Sequence, residues 1–254
     1  MNKTVDNSIV LFLTACINPG GMGMTALQDS GIRKQQYIDT IKWYLCNTEV
    51  NIVVAENTGY DLKPELSEFI RSGRIEYITF NGNNYDKTRG KGYGEAMIID
   101  YGIMQSKLID DSTLIIKVTG RLKCNSINTI IRKCNKKGTV YSSFTKDGND
   151  QTISNSQVFV FSRPFWENYY YPLISKINDS KGIYFEHVLY DSIKQWKKDG
   201  NSFEHFWFPL DLNGVSGTTG KDISTHTSRF IIWIHSMLHL IGYNGSLKFW
   251  KKQM

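Results

Sequence analysis

Residues 85–123 read YDKTRGKGYGEAMIIDYGIMQSKLIDDSTLIIKVTGRLK, and the order of features within them decides the fold. A basic, glycine-rich turn comes first, Arg89-Gly90-Lys91-Gly92-Tyr93-Gly94. Met97, Tyr101, Met104 and Leu108 then recur at i, i+4, i+7 and i+11, the spacing of one apolar helix face. Thr113 to Val118 is a β-branched run of the kind found in a sheet covered on both sides, and Lys117-Val118-Thr119-Gly120-Arg121 ends it. Bare glycine N–H groups at the start of a helix favour anions, and Arg89 and Lys91 stand among them. The block reads as a phosphate-binding turn at the carboxyl edge of a sheet. A plain turn before a helix is the competing reading.

Working outward, the same alternation continues on the amino-terminal side. Ile9 to Thr14 is a first strand, followed by the glycine-rich loop Ile17 to Gly23. Arg33 to Leu45 is a helix with Tyr37, Ile38, Ile41, Tyr44 and Leu45 on one face. Asn51 to Ala55 is a second strand, Pro64 to Arg71 a second helix and Arg74 to Phe80 a third strand. Strand and helix in turn, with short apolar strands, predict an α/β fold with a mainly parallel sheet sandwiched by helices. Ligands of such sheets sit at the carboxyl ends of the strands. That rule selects Thr14, Ala15, Glu56, Asn57 and the segment Lys117 to Arg121, with Thr119 and Gly120 inside it.

On the carboxyl side, Ile127 to Cys134 is a short helix, and Thr139 to Phe144 and Gln157 to Ser162 are strands flanking a polar stretch. Pro164 opens an aromatic helix that Pro172 is expected to break. Phe185, Leu189, Ile193 and Trp196 mark a further helix, with Glu186 in its first turn. Phe203 to Phe208 reads as a strand and Asp211 to Asp222 as a flexible glycine loop. Thr225 is placed to cap a last helix whose apolar face is Phe230, Ile231, Ile234, Leu238 and Ile241. Residues 1–222 are thus expected to form one nucleotide-binding and catalytic domain. Residues 223–254 form a C-terminal helix with a basic-aromatic tail, suited to contact with a membrane, an acceptor or a second subunit.

The 254 residues suffice for a sizeable core, and 41% hydrophobic with 21% charged residues excludes global disorder. A formal charge of +6 favours acidic partners, and the absence of a basic arm or aromatic RNA-binding motif argues against nucleic acid. The four cysteines have neither disulfide-framework nor zinc spacing, which suits a reducing cytoplasm. No apolar run of about 18 residues predicts a membrane span.

Several motifs resolve to weaker readings. Gly217-Thr218-Thr219-Gly220-Lys221 lacks the first glycine and the hydroxyl residue of a P-loop, and reads as a loop that closes on phosphate through Lys221 or as a plain surface loop. Asp110-Asp111 precedes its strand, at the wrong edge for a metal pair, and reads as a solvated turn. His235 and His239 lack the glutamate of a metalloprotease helix. Glu186 reads either as a dipole-favoured surface acid or as a functional carboxylate.

The segments LTACINP, ENTGYDL, DKTRGKGYGE and IIKVTGRL together resemble bacterial glycosyltransferases of the GT-A type that build capsule and O-antigen polysaccharides. The resemblance is good from Ile9 to Leu122 and loose beyond. It implies a nucleotide-sugar donor, and with the readings above the residues expected to hold it are Thr14, Ala15, Glu56, Asn57, Arg89, Lys91, Gly92, Glu95, Lys117, Thr119, Gly120, Arg121 and Lys221. The wider family ends the fourth strand in an Asp-x-Asp that holds a divalent metal; Val118-Thr119-Gly120-Arg121 has no aspartate. Lys91, Lys117 and Arg121 are the natural substitutes for neutralising a departing diphosphate, so no metal or other cofactor is expected. Glu186 matches the family's base, taking a proton from an acceptor hydroxyl during inversion. The implied acceptor is a lipid-linked glycan at the inner face of the membrane. The alternatives are a sugar nucleotidyltransferase and a noncatalytic glycan- or nucleotide-binding subunit.

Overall fold

The computed structural model describes residues 8–111, 113–208 and 210–223. The strands are β1 (Ile9–Ala15), β2 (Asn51–Glu56), β3 (Ile75–Thr79), β4 (Leu114–Thr119), β5 (Leu122–Cys124), β6 (Thr139–Ser142), β7 (Phe144–Lys146), β8 (Thr152–Ser154), β9 (Val158–Ser162), β10 (Ser202–His205) and β11 (Leu212–Gly214). The helices are α1 (Ser30–Asn47), α2 (Lys63–Arg71), α3 (Lys91–Gln105), α4 (Ile127–Lys133), α5 (Arg163–Phe165) and α6 (Phe185–Lys198). Seven strands form one sheet in the order β10-β6-β9-β4-β1-β2-β3. β1 pairs in parallel with β2 and β4, β2 with β3, and β6 with β10. Only β9 runs against its neighbours β4 and β6. The architecture is the expected α/β sandwich with a mainly parallel sheet.

Both faces of the sheet are covered, which is why the central strands are apolar at nearly every position. Leu11, Leu13, Ile52, Val54, Ile116 and Val118 point into one layer with Tyr37, Ile41 and Tyr44 of α1. Val10, Phe12, Val53, Ala55 and Ile115 point into the other, with Ile99 and Ile103 of α3 and Phe185, Leu189 and Ile193 of α6. The face expected for α6 is therefore the one it buries, with Trp196 also inside.

The face expected for α3 is not. Met104 is 63% exposed, and Leu108 lies beyond the helix end at Gln105. The helix buries Gly92, Ala96, Ile99, Gly102 and Ile103 instead. At Gly102 a Cβ would lie 2.4 Å from Phe12 Cζ and 2.9 Å from Ala55 Cβ, so glycine lets the helix lie directly on β1 and β2. A period counted on large side chains passes over such a contact.

Three other expectations change. Asp211 to Asp222 is not an irregular loop: β11 pairs antiparallel with β5, and Val215 bridges to Asp222. The strand expected over Phe203 to Phe208 stops at His205. At Pro172 the aromatic segment does not stop but tightens, from a π turn over Trp166–Tyr170 to a 3-10 turn over Tyr171–Lys176. Among the described residues no helix is long and apolar enough to cross a membrane. Thr225, the helix expected around Phe230 to Ile241, His235, His239 and the basic-aromatic tail lie outside the described residues.

Candidate functional site

The carboxyl ends of β1, β2 and β4 open onto a cavity of about 250 Å³. Thr14 and Ala15 reach it from β1, Asn57 follows β2, and Thr119 and Arg121 follow β4. Lys91, Gly92 and Glu95 come from the first turns of α3, and Glu186 from the first turn of α6. Nine residues nominated from the sequence thus share one hollow. Its far wall is the hairpin after β11, where Val215, Ser216, Gly217 and Thr218 line the cavity. Lys91 Nζ meets the Thr218 hydroxyl across it.

Arg121 is a buried cation of the lining. The hydroxyl of Tyr44 on α1 accepts from Cys124 N and donates to Leu122 O, both at 2.8 Å, which clamps β5 and so fixes the residue before it. The guanidinium is 7% exposed; Nη1 donates to Gln36 Oε1 at 3.2 Å, while Nε is buried with no partner. A Cβ at Gly217 would lie 2.7 Å from Nη2, so the hairpin glycine also closes on it. Arg33, 5% exposed, lines the same cavity and donates to the carbonyls of Cys16 and Leu27. Among the described residues neither guanidinium is ion-paired with a carboxylate. A buried cation without a counter-ion is costly, so this end of the cavity calls for an anion.

Five nominated residues, Lys117 among them, lie apart from the cavity lining. Glu56 is wholly buried, and its carboxylate accepts from the backbone of Ile17, Thr58 and Tyr60 and from Thr79 Oγ1 at 3.0 Å. It shapes the β2 edge. Arg89 points away: Nη2 donates to Ser175 O at 2.7 Å, and the guanidinium stacks 3.7 Å above Tyr93. Gly120 donates its N–H to Thr14 O at 3.0 Å, and a Cβ there would lie 2.4 Å from that oxygen. Lys221 is exposed, beyond the hairpin tip.

Lys117 lies beneath the cavity. It is 0% exposed, and Nζ donates to Glu95 Oε1 at 2.6 Å, Ser156 O at 2.5 Å and Thr119 Oγ1 at 3.1 Å. Its charge is matched by Glu95, which also accepts from Thr14 Oγ1 at 3.1 Å. Of the three cations expected to share the cleft, Lys91 and Arg121 face it, and Lys117 braces its floor.

The glycine turn faces a carboxylate of the chain's own, whose Oδ1 is buried without a hydrogen-bond partner. Gly90 has φ +84°, and a Cβ on it would lie 2.0 Å from Asp179 Oδ2. Asp179 lines the cavity beside Gly92, so its carboxylate stands at the start of α3 where a phosphate was expected. Burial raises its proton affinity above the usual aspartate range, and the charge of Glu186 adds to this. Facing backbone N–H groups of Gly92 and Lys91 act the other way. Cys16, also in the lining, has its thiol pushed up to about 11, mainly by burial.

Glu186 receives a hydrogen bond from Ser156 Oγ at 2.5 Å. Asn57 is 1% exposed, and its Oδ1 is buried without a partner. Among the described residues no three His, Cys, Asp or Glu side chains are gathered as metal ligands. Sequence reasoning missed Asp179, Arg33, Tyr37, Tyr85 and Ser156, which all line the cavity. Arg33 and Tyr37 carried a usable signal, one turn apart on the helix face turned toward β1. Asn178-Asp179-Ser180 shows only a turn signature.

No protein-family description matches this sequence, and no curated protein matches it. Among solved structures, the galactosyltransferase LgtC in complex with donor and acceptor sugar analogues is 8% identical. It covers 96% of this chain and 100% of its own, with a TM-score of 0.46. A 4-diphosphocytidyl-2C-methyl-D-erythritol synthase is 9% identical over 91% of this chain and 99% of its own, at TM-score 0.44. The inositol-1-phosphate CTP transferase from T. maritima is 12% identical over 90% of this chain and 96% of its own, at 0.43. These are remote likenesses of outline, and no activity passes from them to this chain.

Proposed function

We propose that this chain is a GT-A-type glycosyltransferase that moves a sugar from a nucleoside-diphosphate sugar, of the uridine class, to a lipid-linked glycan of the cell surface. The observation that carries the reading is Arg121, a buried guanidinium with an unpartnered Nε, in the same cavity as Glu186, the carboxylate in the first turn of α6. The diphosphate lies against Arg121 and Lys91, and Arg33 adds charge behind it. Asn57 Oδ1, buried and lacking a donor, suits the imide N–H of a uracil.

In the reaction, an acceptor hydroxyl oxygen bonds to the anomeric carbon as the bond from that carbon to the diphosphate oxygen breaks. Glu186 takes the hydroxyl proton, and the electron pair leaves with the nucleoside diphosphate. Arg121 and Lys91 meet the charge that grows on the leaving group, in a pocket where their fields are little screened. This is a metal-independent departure. The acceptor site and the inner-leaflet contact would involve residues 223–254.

The test is to incubate the protein with a panel of UDP-sugars and a lipid-linked acceptor, with and without EDTA. Release of UDP that survives the chelator and disappears in Glu186→Gln supports the reading. Diphosphate release from UTP and a sugar 1-phosphate would make it a nucleotidyltransferase. Tight nucleotide binding with no turnover would make it a binding subunit.

A further inference from the structure

The polar turn between β8 and β9 holds a residue with two tied ends. Ser156 is 8% exposed; its hydroxyl donates to Glu186 Oε1 at 2.5 Å, and its main-chain carbonyl accepts from Lys117 Nζ at 2.5 Å. Lys117 is anchored in turn on β4 and on Glu95 of α3. The turn itself is fixed from the other side. Asn155 Oδ1 accepts from Gln157 N at 2.8 Å and Val158 N at 3.1 Å, and Asn155 N donates to Ser143 O at 2.8 Å.

With carbonyl and neighbours held, the Ser156 side chain has little freedom, and it fastens one oxygen of a glutamate that is otherwise a long, adjustable side chain. We infer that Ser156 is the positioning residue for Glu186, and that the Lys117–Glu95 pair serves the site through it. The inference rests on the assignment of Glu186 as base. It gives Lys117 a different task from the one its charge suggests: it never meets the diphosphate, and instead locks the turn that aims the carboxylate. One Glu186 oxygen stays on Ser156 while the other is left for the acceptor hydroxyl.

Ser156→Ala removes the hydroxyl and keeps the carbonyl on which Lys117 rests. In the full chain, the expected result is a kcat for transfer lowered about 10- to 100-fold. UDP affinity and donor KM stay within about twofold, because the diphosphate contacts are elsewhere. Ser156→Thr, which restores a hydroxyl, recovers most of the loss. An unchanged kcat in Ser156→Ala, or a loss of UDP affinity in step with kcat, overturns the inference. A crystal structure of Ser156→Ala provides a readout independent of turnover. Glu186 is expected in more than one rotamer there, and a carboxylate seated as in the parent contradicts the positioning role. Full activity in Glu186→Gln would instead sink the base assignment, a separate failure.

Discussion

Lys117 Nζ lies 2.6 Å from Glu95 Oε1, with the lysine side chain 0% and the glutamate side chain 22% exposed. A lysine this deep is tolerated because three oxygens satisfy its three N–H donors. Glu95→Ala strands that charge and is expected to cost about 3–5 kcal/mol in urea unfolding. The pair Lys117→Met with Glu95→Gln costs less than the two single changes added together. Additive losses would show that the two side chains do not act as a pair.

Gly102 is expected to resist any side chain. Gly102→Ala drives a methyl against Phe12 and Ala55, and overpacking of this kind costs about 1–3 kcal/mol. The same change at Met104, exposed on the opposite side of α3, is expected to stay within about 0.5 kcal/mol. Thermal unfolding of both variants compares the real buried face of the helix with the one its large residues suggest.

Asp179 gives a pH signature. In the folded chain it keeps its proton above the ordinary aspartate value of about 3.9. Between that value and the raised one the folded state binds more protons than the unfolded state, so stability falls as pH rises through the window and levels off above it. Asp179→Asn removes this dependence. Its Tm relative to the parent is expected to climb as pH is raised from about 4 toward neutrality. A constant difference would mean that the carboxylate is not held at a cost.

Cys16 lines the cavity, but its thiol, pushed up to about 11, stays protonated near neutral pH. The thiolate is the reactive form, so iodoacetamide is expected to label the exposed Cys46 well before Cys16. Mass spectrometry of the labelled peptides checks the order, and equal labelling of both would contradict it.

The parts of the fold legible in the sequence are those where one physical signal dominates. β1, β2 and β4 are continuous apolar runs because helices cover both sheet faces, and α6 shows its core stripe in Phe185, Leu189, Ile193 and Trp196. What stayed hidden depends on pairings between distant segments. β5 and β11 are too short to show a period, and their pairing brings the Gly217 hairpin onto Arg121. Gly90 is bare, as an anion cradle requires, but no local pattern shows that Asp179 fills it. Lys117 looks like a ligand-facing cation at the end of a strand, yet its side chain turns into the floor, toward Glu95.

Titration of the full chain with UDP by isothermal calorimetry tests the central claim most directly. Saturable binding that weakens with added salt is expected, with Kd raised at least about tenfold in Arg121→Gln, the range for a lost charged hydrogen bond. No binding to the parent chain, or equal affinity in Arg121→Gln, would contradict the account.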